Sequence, residues 1–186
     1  RVISSLINYA RTAPDNDYVA ANVIGRDTSP FRSFIFLDIG SDGGVRRDMP
    51  VVTNQGLVGL VVEATCCSSK VRLITDPDSA VPARLQTTRD EGVVVGRQGG
   101  GLELQYLSQQ AEITPGDLIL TSGLSGRVPA GIVLGQISAV QRLDYEVLQR
   151  AIVTPGVDFN RLEIVLVITN FVPVDLSPLG EPAPAP

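Results

Sequence analysis

The stretch Val51-Val52-Thr53-Asn54-Gln55-Gly56-Leu57-Val58-Gly59-Leu60-Val61-Val62 returns, in altered form, about seventy residues later. The second copy reads Leu118-Ile119-Leu120-Thr121-Ser122-Gly123, then a short loop, then Gly131-Ile132-Val133-Leu134-Gly135-Gln136-Ile137. Each copy follows an aspartate, Asp48 or Asp117, and joins two apolar runs through a Gly-containing turn. Such a unit reads as a β-hairpin. Its duplication implies two similar β modules rather than one catalytic core.

The rest of the chain fits that frame. Strand-like runs rich in Val, Ile and Leu occur at Tyr18–Ile24, Ser33–Asp38, Val51–Thr53, Leu57–Glu63, Val71–Thr75 and Val81–Gln86. A second six follow at Gly92–Gly96, Leu102–Leu107, Leu118–Thr121, Ile132–Val140, Val147–Thr154 and Leu162–Ile168. Turn clusters such as Asp27-Thr28-Ser29-Pro30 and Gln98-Gly99-Gly100-Gly101 separate them. Two sets of six short strands predict an all-β chain of two small six-stranded β-barrels, because closure removes the unpaired edges of short sheets. The expected organisation is a helix end and linker at 1–17, a first barrel at 18–88, a second at 89–171 and a Pro-rich flexible tail at 172–186. Exchange of strands between the barrels is compatible with the same pattern.

Helical spacing occurs only from Arg1 to about Ala13, where Val2, Leu6 and Tyr9 recur at four- and three-residue steps, with Ile3, Ile7 and Ala10 beside them. Pro14 ends it. Two readings stay open: a short helix packed on the domain, or the last turns of a coiled coil. No run approaches the roughly 20 apolar residues that span a bilayer, and there is no signal-peptide core. The first residue is Arg1 rather than methionine, so the chain reads as an excised fragment in which an upstream anchor or targeting segment would be invisible.

Composition removes several function classes. A net charge of −5 argues against general nucleic-acid binding, which needs a positive field. Histidine is absent, which excludes Ser-His-Asp and Cys-His catalysis and removes the commonest metal ligand. Lys70 is the only lysine, and Cys67-Ser68-Ser69-Lys70 lacks the Ser-x-x-Lys spacing. The remaining acid pairs, Asp76 with Asp78 around Pro77 and Asp38 with Asp42, read as turn residues bonded to backbone. Gly40-Ser41-Asp42-Gly43-Gly44 lacks the Gly-Lys-Ser/Thr of a phosphate loop. Cys66 and Cys67 are adjacent, with Cα atoms about 3.8 Å apart, below the usual disulfide range, so they are expected as buried or half-buried thiols. The chain therefore reads as a non-enzyme, with no catalytic residue, no cofactor and no metal site expected.

The order of these elements resembles the family of the bacterial rod shape-determining protein MreC. The resemblance runs from about Ala21 to Ile168 and rests on Val23-Ile24-Gly25-Arg26-Asp27, Gly40-Ser41 with Gly44-Val45, and Met49-Pro50-Val51-Val52 leading to Gly56-Leu57-Val58-Gly59. Leu73-Ile74-Thr75-Asp76-Pro77, Gly116-Asp117, Thr121-Ser122-Gly123-Leu124 with Gly126, then Pro129, Gly131, Gly135, Pro155, Asp158 and Leu162-Glu163 continue it. Three positions depart: Gly43 stands where the family usually has aspartate, Asp48 where glycine is common, and Phe31 near a usual tryptophan.

The resemblance implies barrels of the trypsin-like type without its catalytic residues, preceded by a coiled coil and one membrane helix. It implies a non-enzymatic scaffold of the cell-elongation machinery on the periplasmic face of the inner membrane. That scaffold self-associates and contacts a class B penicillin-binding protein and other membrane proteins. The alternative is a periplasmic glycan- or peptide-binding β module. Phe31, Phe34, Phe36 and Tyr106 are the aromatics to inspect for contact surfaces. Phe34 and Phe36, alternating on one strand, are expected to fill a barrel, which leaves Phe31 and Tyr106 as the candidate interaction surface.

Overall fold

The computed structural model describes residues 2–142 and 148–174. After helix α1 (Val2–Thr12) come twelve strands. They are β1 (Tyr18–Ser29), β2 (Arg32–Leu37), β3 (Pro50–Thr53), β4 (Gly56–Ala64), β5 (Ser69–Leu73), β6 (Ala80–Leu85), β7 (Glu91–Gly96), β8 (Leu102–Ser108), β9 (Leu118–Thr121), β10 (Val133–Gln141), β11 (Leu148–Pro155) and β12 (Ile164–Ile168). A strand lies within or overlaps each expected run, with Val147, the expected first residue of the eleventh, outside the described residues. They close into two antiparallel six-stranded barrels, in the order β1-β12-β3-β4-β5-β2 and β10-β11-β8-β7-β6-β9. The repeated hairpin supplies β3–β4 to one barrel and β9–β10 to the other.

Barrel membership departs from chain order at two strands. Val81–Gln86 falls in the first set by position, yet β6 pairs with β7 and β9 of the second barrel. Leu162–Ile168 falls in the second set, yet β12 pairs with β1 and β3 of the first. Side-chain alternation gives the reason. Val165 and Val167 point into the first core, while Leu166 and Ile168 belong to the cluster built around the second. A strand apolar on both faces is satisfied only between two apolar surfaces. The crossing at residues 74–79 is held by Asp76, only 1% exposed, whose carboxylate accepts from Ser33 N–H at 2.7 Å and Asp78 N–H at 2.8 Å.

The first core holds Ile35, Leu37, Val51, Val58, Val61, Val71 and Leu73. Val52, Leu57 and Ile74 leave that barrel outward and join the second core, Leu85, Leu104, Ile119 and Leu134 among them. The two barrels therefore share a continuous apolar seam, and burial of such surface is the main stabilising term. Gly56 marks its closest approach: a Cβ there would lie 2.3 Å from the Val133 carbonyl oxygen. The two copies of the hairpin thus touch each other. Helix α1 docks on β12 through buried Leu6. Tyr9 meets Tyr18 edge to face at 6.1 Å, and burial pushes its phenol pKa up. Of the Pro-rich tail, residues 175–186 lie outside the described residues. Just before them, Val174 N–H donates to Gly126 O at 2.9 Å.

Candidate interaction surfaces

A groove of about 650 Å³ runs between the barrels, with Arg26, Pro30, Thr75, Gly100, Asp158 and Phe159 among its walls. Its charged groups are engaged in structure. Arg26 donates to the carbonyls of Phe159 and Leu162, pinning the segment that leads into β12. Asp158 accepts from Asn160 N–H at 3.1 Å and lies 3.6 Å from Arg161 Nε. Two of the other carboxylates singled out in the sequence, Asp38 and Asp76, are engaged in the same way. Asp38 accepts from Asn22, side chain at 2.7 Å and backbone at 2.8 Å, and those bonds hold its pKa below the ordinary carboxylate value. Asp78 serves Asp76 through its backbone N–H. Asp38 thus ties its segment to β1, and Asp76 clamps its own turn.

Phe31 and Tyr106 are exposed, at 66% and 61%. They stand on different barrels, Phe31 in the β1–β2 turn and Tyr106 on β8. Tyr106 has φ +62°, and the β8–β11 register slips across Gln149 to Ala151 opposite it. This β-bulge turns the ring outward. No pattern in the sequence marks that bulge, because Tyr carries no preference for left-handed backbone.

Phe34 and Phe36 do not fill the barrel. Ile35 and Leu37 take the inward positions of β2, so the phenylalanines face outward. Lys70 Nζ lies 4.3 Å from the Phe34 ring centre and Arg72 Cζ 5.7 Å from it. The cations cover the rings and gain cation–π contact. Phe36 packs its edge over Gly25 of β1. The expectation of buried thiols also fails: Cys66 and Cys67 are both exposed at the β4–β5 turn. Their mutual hydrogen bond, then the neighbouring charge, raises the pKa of Cys67.

A second groove, about 330 Å³, lies between α1 and β1, with Ile3, Ile7, Ala20 and Ile164 in its walls. Ile3 and Ile7 are the exposed half of the helix's apolar stripe. Among the described residues no helix is long and apolar enough to cross a membrane.

Residues 23–169 match the family described as "Rod shape-determining protein MreC, barrel core". The cell shape-determining protein MreC of Listeria monocytogenes is 34% identical over 83% of this chain and 54% of its own length. The chain spans about half the length of the curated relatives it matches. The crystal structure of MreC from Pseudomonas aeruginosa superposes with a TM-score of 0.76 at 31% identity, covering 82% of this chain and 99% of that one. A complex between penicillin-binding protein PBP2 and MreC from Helicobacter pylori shares the fold, with a TM-score of 0.66 at 17% identity over 83% of this chain and 98% of that one.

Proposed function

The chain belongs to the MreC family of rod shape-determining proteins, and from that membership we propose that it is a non-enzymatic scaffold of cell elongation. It works on the periplasmic face of the inner membrane, associates with itself, and organises peptidoglycan synthesis by holding a class B penicillin-binding protein. One observation carries the non-enzymatic reading: in the inter-barrel groove, where a two-barrel hydrolase would keep its catalytic groups, Arg26 and Asp158 are committed to backbone and to Arg161. The penicillin-binding partner is carried over from the Helicobacter pylori complex, whose MreC shares this fold.

Two barrels fused through an apolar seam form a stiff body, which suits a protein whose task is to set the positions of others. Phe31 and Tyr106 are the contact aromatics of this reading, exposed anchors of the type that dominates interface energetics. Binding of a purified class B penicillin-binding protein to the immobilised chain tests it. The expectation is saturable binding that Phe31→Ala or Tyr106→Ala weakens roughly tenfold, about 1.4 kcal/mol each. Unchanged affinity in both variants removes these aromatics from the contact, and no binding removes the partner. Self-association is tested by concentration-dependent sedimentation with and without residues 1–17; a monomer at every concentration counts against it. The inter-barrel groove favours a second reading, a glycan- or peptide-binding module. Saturable binding of muropeptides that is lost in Arg26→Ala would favour it over the scaffold.

A further inference from the structure

The β4–β5 turn, Thr65-Cys66-Cys67-Ser68, is closed by Thr65 N–H donating to Ser68 O at 2.8 Å and Ser68 N–H donating to Thr65 Oγ1 at 3.2 Å. A single 3₁₀ turn, Ser41–Gly43, is laid against it. Ser41 N–H donates to Thr65 O at 2.8 Å and Asp42 N–H to Cys66 O at 3.0 Å. Gly40 makes that approach possible, since a Cβ there would lie 2.2 Å from Thr65 O and 2.8 Å from Cys66 C. Gly44, at φ +86°, returns the chain on the far side. The outcome is a meeting of side chains from two segments. A carboxylate oxygen of Asp42 and the Sγ atoms of Cys66 and Cys67 all lie within 4.8 Å of one another, the two sulfurs 2.7 Å apart. Among the described residues no ion pair involves Asp42.

We propose that Asp42, Cys66 and Cys67 bind one thiophilic divalent cation of the zinc type, which ties the Ser41–Gly43 turn to the β4–β5 turn at the end of the first barrel. Two thiolates and one carboxylate are donors such an ion takes, at about 2.3 Å to sulfur and about 2.0–2.2 Å to oxygen. Tetrahedral geometry at those lengths sets neighbouring donors roughly 3.5–3.8 Å apart. The three donors lie within 4.8 Å of one another, close enough for side-chain rotation to reach that spacing. The sulfurs open by about 1 Å through side-chain rotation, which exposed thiols are free to make. Three protein donors leave the fourth corner to water, which the exposure of all three residues allows. Calcium and magnesium do not fit, because they demand an oxygen shell and only one carboxylate is present.

The test is titration of the whole chain, reduced with a phosphine, with zinc and cadmium ions. Readouts are the ultraviolet cadmium–thiolate charge-transfer band and the thermal unfolding midpoint. One ion per chain is expected, and Cys66→Ser or Cys67→Ser should sharply reduce the band. Loss of even an outer partner of a metal ligand costs roughly 10–100-fold in affinity. Asp42→Asn should therefore keep the band and weaken cadmium binding by about tenfold or more. Zinc should raise the unfolding midpoint of the parent and leave that of the Cys66→Ser/Cys67→Ser double variant unmoved. All three residues are exposed, so the variants fold, and their metal-free unfolding midpoints check it. Equal cadmium affinity in parent and Asp42→Asn overturns the site, leaving a bare pair of adjacent thiols. One ion shared between two chains, or competition by equimolar calcium, also overturns it.

Discussion

The two barrels have the same strand number and carry the same hairpin, yet they close in different ways. The second is built from one unbroken stretch, β6 to β11. The first takes β1 to β5 and then waits for β12, which is inserted between β1 and β3 from the far end of the fold. Non-local pairing must overcome the entropy of loop closure before its contacts reward it. The second barrel can therefore form while the first is still open, and the first depends on a single late strand. The shared seam opposes this independence. Val52, Leu57, Leu166 and Ile168 lend first-barrel surface to the cluster around the second core.

Substitutions can break or sharpen that contrast. Val167→Asp puts an unpaired charge into the first core, where Val167 is fully buried, and should cost more than about 4 kcal/mol. Amide exchange should rise in β1–β5 and β12 while β6–β11 stay protected; loss of both together would make the barrels one cooperative unit. Gly56→Val strikes the seam itself, with the Val133 carbonyl in its way and φ at +146°. It should cost about 3 kcal/mol in urea unfolding and lower the stability of both barrels. Asp76→Ala removes a buried acceptor of two backbone N–H groups at the crossing and should cost about 2–3 kcal/mol. Asp48 has φ +69°, so Asp48→Gly should stabilise the first barrel by up to about 1 kcal/mol.

The smallest effect is on pH dependence. The folded pKa of Asp38 is lowered, first by the Asn22 side-chain bond and then by the Asn22 backbone bond. Its contribution is therefore present above the ordinary aspartate value near 4 and is lost as pH falls through the lowered folded value. Asp38→Asn should flatten the acid limb of the stability curve, seen as a smaller drop in unfolding midpoint between pH 5 and pH 2.

These differences also mark what the sequence could say. Val58 and Val61, or Ile35 and Leu37, are Val and Ile-type residues bounded by turn clusters, and such runs identify strands without further help. The sharing of strands was not legible, because Ile164–Ile168 is apolar throughout and a two-faced strand does not declare its neighbours. Phe34 and Phe36 misled because alternation fixes which residues share a face and not which face is inside. The thiols misled because Cys is commonly buried, whereas these two occupy a turn whose conformation is set by Gly40 across from it. Asp48, at a position where the resemblance implies glycine, stands on left-handed backbone at φ +69°, which glycine adopts without strain.

The pairing of β1 with β12 has a mechanical meaning. Tyr18 lies opposite Ile168, so the chain enters and leaves this ladder at the same end. Tension applied between residue 17 and residue 169 would load the hydrogen bonds one after another, as in a zipper, rather than all at once in shear. The first barrel would peel open from that end at modest force. The second, joined through residues 74–79 and the segment after β11, would carry load only after β12 had come away.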